Sequence, residues 1–168
     1  MRTSPFVVNV AALGLAPGVQ RRVGRNGLIS GLEVTGSSVV GDTSVDVDVE
    51  LEAVPGAVIV RGVVLARWVG ACRRCLGEVG GELRSEVVEV FQADHDPEET
   101  YPLAGDQLDL EPMARDAVLL ELPQAPLCHP GCQGLCPVCG AERNEGSCDC
   151  EVEVADPRWA ALDALRDT

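Results

Sequence analysis

Eight cysteines fall into four tight pairs: Cys72 and Cys75 in C-R-R-C, Cys128 and Cys132 in C-H-P-G-C, Cys136 and Cys139 in C-P-V-C-G, and Cys148 and Cys150 in C-D-C. Two thiolates brought face to face by a tight loop grip one side of a tetrahedral metal ion, and a second pair supplies the other side. Four pairs therefore predict two zinc sites of four sulfurs each. A disulfide framework is the competing reading, because an even cysteine count in a modest chain also suits a secreted protein. A disulfide within C-x-x-C closes a very small ring, which strains the bond and suits redox exchange better than bracing. An iron or redox centre is the third reading. Zinc is preferred on geometry.

Loop closure orders the pairs. Arg143-Asn144-Glu145-Gly146 reads as a turn that brings Cys148 and Cys150 back over Cys136 and Cys139, within one short segment and at little cost in chain entropy. Cys72 and Cys75 are then expected to share a site with Cys128 and Cys132, clamping a distant segment to the middle of the chain.

The elements that must position these sulfurs begin with sheet. Val45 to Glu52 alternates apolar and acidic residues with period two, as a strand with one dry face and one wet face does. Pro55-Gly56 supplies a turn, and Ala57 to Val69 returns as a long Val-rich strand that runs into C-R-R-C. A third strand is expected from Glu82 to Phe91. The stretch Asp94 to Gly105, acidic and holding two prolines, reads as an exposed loop or partly disordered linker. Leu110 to Leu122 has helical spacing through Leu110, Met113, Ala117 and Leu120, with Pro112 in the first turn, where its missing amide hydrogen is harmless. Pro157 to Arg166 is expected to form a short amphipathic helix.

The predicted fold class is α+β: a curved antiparallel meander, barrel-like, with one packed helix and a C-terminal zinc-knuckle segment ending in a short helix. Residues 1–127 form the β-rich core with its helix at about 110–122, and residues 128–168 form a metal-binding segment packed on that core. Aromatic residues are only two Phe, two Trp and one Tyr, so Val, Leu and Ala fill the core and metal adds stability that packing lacks.

Charge narrows the partners. The formal net charge is −14, and residues 85–168 carry nineteen acids against four Arg. All thirteen basic residues are Arg. A chain so acidic does not coat nucleic acid nonspecifically, so any RNA contact is local. The candidates are Arg21, Arg22 and Arg25 in an acid-free segment, and Arg73 and Arg74 between the first two cysteines. The apolar run from Phe6 to Ala16 is interrupted by Asn9 and followed by Pro17, which argues against a signal peptide, and no apolar run is long enough to span a membrane. A reducing cytoplasm is the expected compartment, where thiol pairs serve as metal ligands more often than as disulfides.

The combination of C-R-R-C-L, then L-D-L-E-P-M-A-R-D-A-V-L-L-E-L-P, then C-H-P-G-C-Q-G-L-C-P-V-C-G-A-E-R-N-E-G-S-C-D-C and the closing D-P-R-W-A-A-L-D-A-L resembles the YceD family. The resemblance covers about Pro5 to Leu165 and is most specific in its second half. It implies a cytoplasmic bacterial factor required for 23S rRNA accumulation, hence for large ribosomal subunit biogenesis, with no catalytic activity. Precursor rRNA or a large-subunit ribosomal protein is the implied partner, with no membrane and no small-molecule substrate.

The residues themselves offer little for catalysis. His95 lies in the acidic loop and His129 among the cysteines, neither beside an evident nucleophile, and a closed four-thiolate site leaves no position for bound water. A P-loop and a strand-led G-x-G-x-x-G are both missing. Two other readings stay open. One is a thiol oxidoreductase using Cys72 and Cys75, whose thiolates Arg73 and Arg74 would stabilise, although the βαβ context of a redox C-x-x-C is lacking. The other is a pure protein-interaction adaptor whose acidic half imitates RNA.

Overall fold

A computed structural model describes residues 4–13, 17–41, 43–151 and 158. Its centre is a three-stranded antiparallel meander of long strands, β5 (Val45–Val54), β6 (Ala57–Ala71) and β7 (Glu78–Gln92). Alternation decides which side of it is dry. Val45, Val47, Val49 and Leu51 of β5 are buried, while the acids between them face outward. The β5–β6 hairpin turns at Pro55-Gly56, where Gly56 takes φ +77°, the pairing a type II turn requires.

Shorter strands complete the sheet. β2 (Gln20–Gly27) adds to β5, and β4 (Ser37–Val39), with β3 (Glu33–Val34) beyond it, pairs with the last residues of β6 that β5 does not cover. On the other side β8 (Tyr101–Ala104) joins β7, β9 (Gln107–Asp109) joins β8, and β1 (Val7–Asn9) closes the edge. The result is a curved half-barrel.

Two expectations need correction. The sheet is mixed and not wholly antiparallel, because β8 runs parallel to β7 through Phe91 and Gln92. The acidic stretch from Asp94 to Gly105 is therefore not all loop: its second half is β8. A parallel return needs a connection long enough to reverse the chain twice, which residues 93–100 provide. The Phe91 and Tyr101 rings stack at 5.1 Å across the join.

The helix α1 (Glu111–Glu121) forms where the sequence predicts it. Asp109 accepts the Glu111 amide at 3.0 Å, and Pro112 occupies the first turn. Its buried stripe is Met113, Ala114, Ala117 and Val118, continued by Leu122 at the C-cap. Leu120, assigned to that stripe from spacing, is instead 86% exposed. It lies two residues from both Val118 and Leu122, which places it on the far side of the helix. The predicted helix from Pro157 to Arg166 lies outside the described residues.

Candidate metal centres

The β6–β7 hairpin ends in the loop Cys72–Gly77, so the first cysteine pair stands at the tip of the longest hairpin. The Cys72 amide donates to the Gly77 carbonyl and the Leu76 amide to the Cys72 carbonyl, at 2.8 and 2.9 Å. The second knuckle repeats this pattern residue for residue: the Cys136 amide donates to Ala141 and the Gly140 amide to Cys136, both at 2.8 Å. Each loop needs one left-handed residue after its second cysteine. Gly140 supplies it at φ +73° without penalty, but Leu76 adopts φ +62° with a side chain that resists it.

Six residues separate the end of α1 from Cys128. The Ser37 hydroxyl holds the Pro123 carbonyl at 2.7 Å, and the Arg73 amide donates to the Pro126 carbonyl at 2.9 Å. Cys128 and Cys132 then close over the hairpin tip, with Cys132 Sγ 3.8 Å from Cys72 and Cys128 Sγ 3.7 Å from Cys75. All four sulfurs lie within 4.8 Å of one another. A tetrahedral ion bonded to sulfur at about 2.3 Å separates its ligands by about 3.8 Å. The donor set and its spacing fit such an ion.

Cys136, Cys139, Cys148 and Cys150 form the second group, again within 4.8 Å. The structure thus groups the pairs as loop closure predicts. The groups differ in setting. Cys72, Cys75 and Cys132 are buried with Val79 and Leu127 packed on them, whereas only Cys136 of the second group is buried.

Thiol acidity follows the same geometry. Backbone amides, that of Cys75 foremost, pull Cys72 down to about 6, and those of Cys139 and Val138 do the same for Cys136. Burial followed by the neighbouring sulfurs pushes Cys128 up to about 12, and the Cys139 sulfur followed by burial does so for Cys150. Four thiolates so close require a cation between them to ionise together.

Asn144 is the residue that sequence reading missed. It sits in the turn of the second knuckle, yet its amide donates to Cys132 Sγ at 3.3 Å while its Oδ1 accepts the Gln133 amide at 2.7 Å. The Arg143 amide donates to Gly134, and the Leu135 amide to Arg74. A side chain at Gly134 would meet the Arg74 carbonyl at 2.9 Å. The only sequence signal was Asn144 in a turn, which is ordinary turn chemistry.

The arginines are less united than their sequence positions. Arg74 is exposed but engaged, its guanidinium donating to the carbonyls of Cys132 at 2.9 Å and Pro130 at 3.3 Å. Arg73 is exposed beside it. Arg21, Arg22 and Arg25 all lie on β2, where register divides them: Arg22 stands opposite Glu50, while Arg21 and Arg25 stand opposite Leu51 and Val47, on the other side of the sheet. Arg22 pairs with Asp48 at 2.6 Å, and Arg21 donates to the Asn9 carbonyl. The acid-free segment therefore faces an acidic strand. His129 is exposed over the first centre, and His95 lines a groove beside α1.

Residues 60–166 match the family model described as large ribosomal RNA subunit accumulation protein YceD. The chain belongs to the YceD family. Within reach of that assignment, an uncharacterized protein of Mycobacterium tuberculosis is 34% identical over 169 residues, covering 95% of this chain and 80% of its own length. One from Mycobacterium leprae is 32% identical over 170 residues, covering 95% and 76%. The Arabidopsis thaliana large ribosomal RNA subunit accumulation protein YCED homolog 1, chloroplastic, is 34% identical over 67 residues, covering 40% of this chain and 21% of the plant protein. No solved structure matches. The family model begins within β6 and so takes in both cysteine groups and α1, leaving β1 to β5 outside it. Among the described residues no helix is long and apolar enough to cross a membrane.

Proposed function

We propose that this chain is a noncatalytic cytoplasmic factor needed for 23S rRNA accumulation and large ribosomal subunit assembly. It contacts precursor rRNA or a large-subunit ribosomal protein through a surface that two zinc ions hold in shape. The observation that carries this reading is the pair of compact four-sulfur groups within a family described by ribosomal RNA accumulation. Cys72, Cys75, Cys128 and Cys132 would hold one ion, and Cys136, Cys139, Cys148 and Cys150 the other. The ions supply no chemistry beyond cross-linking, since four thiolates leave no coordination position for water or substrate. Residues 1–127 then serve as the β-rich core and residues 128–168 as the metal-bound segment docked on it.

The oxidoreductase alternative needs Cys72 and Cys75 free to cycle between dithiol and disulfide. Their packing against Cys132 and Cys128 favours metal instead. Arg73 is the better-presented candidate for a phosphate, because Arg74 is occupied with carbonyl groups. The test is depletion of the protein in its own cells, followed by complementation with the wild type or with Cys72→Ser. A fall in the ratio of 23S to 16S rRNA that only the wild type restores is expected; an unchanged ratio on depletion contradicts the reading.

A further inference from the structure

Beside α1 lies a second concavity that the sulfur centres do not use. It has a volume of about 630 Å³ and is walled by Asp116, Leu119 and Leu120 of α1, Glu89 of β7, and His95 with residues 97–102 of the connection and the start of β8. We propose that this groove docks a Lys/Arg-rich segment of a protein partner, one that presents an apolar side chain to Leu119 and Leu120 beside its cations.

Two independent features point to such an occupant. The first is apolar. Leu120 is the most exposed large hydrophobic side chain among the described residues, at 86%, and it stands on the groove wall next to half-buried Leu119. Exposed aliphatic surface gathered in a concavity gains by being covered, at roughly 25 cal/mol per Å². The second is charge. Glu89, Glu98, Glu99 and Asp116 line the groove with His95, and among the described residues no Arg lines it and none of the four acids is in an ion pair.

Glu89 is the telling member. It occupies the core-facing row of β7 between buried Val87 and Phe91, opposite buried Val60, where the alternation calls for an apolar residue. Burial and then the charge of Asp116 hold its carboxyl above the usual range. Asp116 itself accepts the Tyr101 hydroxyl at 2.8 Å. An acid kept half-buried without a cation is at a cost that an incoming cation relieves. An RNA phosphate would be repelled by the same four carboxylates, so the occupant is a basic peptide and not a nucleic acid.

The inference deepens the assembly reading, resting on it only for where a basic partner is met; binding by the purified chain is decided independently of rRNA levels. The experiment uses the full metal-loaded chain and a fluorescent twelve-residue peptide of alternating Lys and Leu, with an acidic Glu/Leu peptide and a twelve-nucleotide oligouridine for comparison. The Lys/Leu peptide alone should bind, with affinity that falls as salt rises. The triple variant Glu89→Gln, Glu98→Gln, Glu99→Gln should weaken it by roughly tenfold, about 1.4 kcal/mol. Leu120→Ser should weaken it severalfold without changing the salt dependence, and an equal charge removal on the outer sheet face (Asp46→Asn, Glu50→Gln, Glu86→Gln) should have less than about half a log unit of effect. Equal weakening by the two triple variants would mean diffuse attraction to an acidic protein and would overturn the groove, as would oligouridine binding that Leu120→Ser abolishes.

Discussion

The two sulfur groups share one backbone design and differ in everything that surrounds it. The second is local: its four cysteines come from fifteen consecutive residues, and three of them are exposed or half-exposed. The first joins residues some sixty positions apart, is mostly buried, and is tied by backbone bonds to the segment after α1. One centre folds a segment on itself, while the other fastens that segment to the sheet. The lesson is that a tight pair of cysteines defines a knuckle, but its mechanical role depends on which partner pair reaches it.

Breaking each centre in turn gives the largest contrast. Cys72→Ser should cost about 4 kcal/mol or more and lower Tm by roughly 10 °C, because the hairpin tip loses its clamp. Cys136→Ser should release one ion and leave the β-sheet signal in circular dichroism near that of the wild type. Loss of both ions in Cys136→Ser would show that the second centre is not self-contained.

Asn144 blurs the division in an instructive way. It belongs by sequence to the second knuckle but donates to a sulfur of the first. Asn144→Ala should therefore loosen the first ion, by about tenfold or more in a chelator competition, while the four ligands of the second are untouched. Selective release of the second ion in this variant would contradict the assignment.

A smaller effect tests the shared backbone. Leu76→Gly should stabilise the protein by up to about 1 kcal/mol, since the left-handed penalty of roughly 1–2 kcal/mol is relieved and only part returns as unfolded-chain entropy. Gly140→Leu should show the opposite sign in thermal melts. If both substitutions destabilise equally, the likeness of the two knuckles is superficial.

The smallest expected effect lies away from the metal. Glu89 has a raised carboxyl pKa in the folded protein through burial and Asp116, so its ionisation opposes folding above that pKa. Glu89→Gln should raise Tm at neutral pH, and the gain should fade as pH falls from the folded-state value towards the lower unfolded-state one, below which both states are protonated. Asp116 and Tyr101 face the same group, so the titration belongs to the cluster.

What was legible in the sequence was local. Period-two alternation in β5 and the turn at Pro55-Gly56 need only neighbours, and cysteine spacing plus loop closure gave the grouping of the pairs. What was not legible depends on distant register. The parallel return of β8 is invisible in an acidic, proline-containing stretch. Arg21, Arg22 and Arg25 divide onto two sides by the alternation of β2 itself, but the acidic partner of Arg22 comes from pairing with β5, some twenty-five residues away. Leu120 was misassigned because spacing alone cannot tell which stripe of a short helix meets the sheet; Leu122, beyond its end, decides it.

The central claim is that four thiolate pairs close two zinc centres. Native mass spectrometry of the purified full chain, alongside its denatured mass, tests it most directly. Two zinc ions per chain with all eight cysteines reduced is the predicted result. A single ion, no metal, or a denatured mass lowered by the hydrogens lost to disulfides would contradict it.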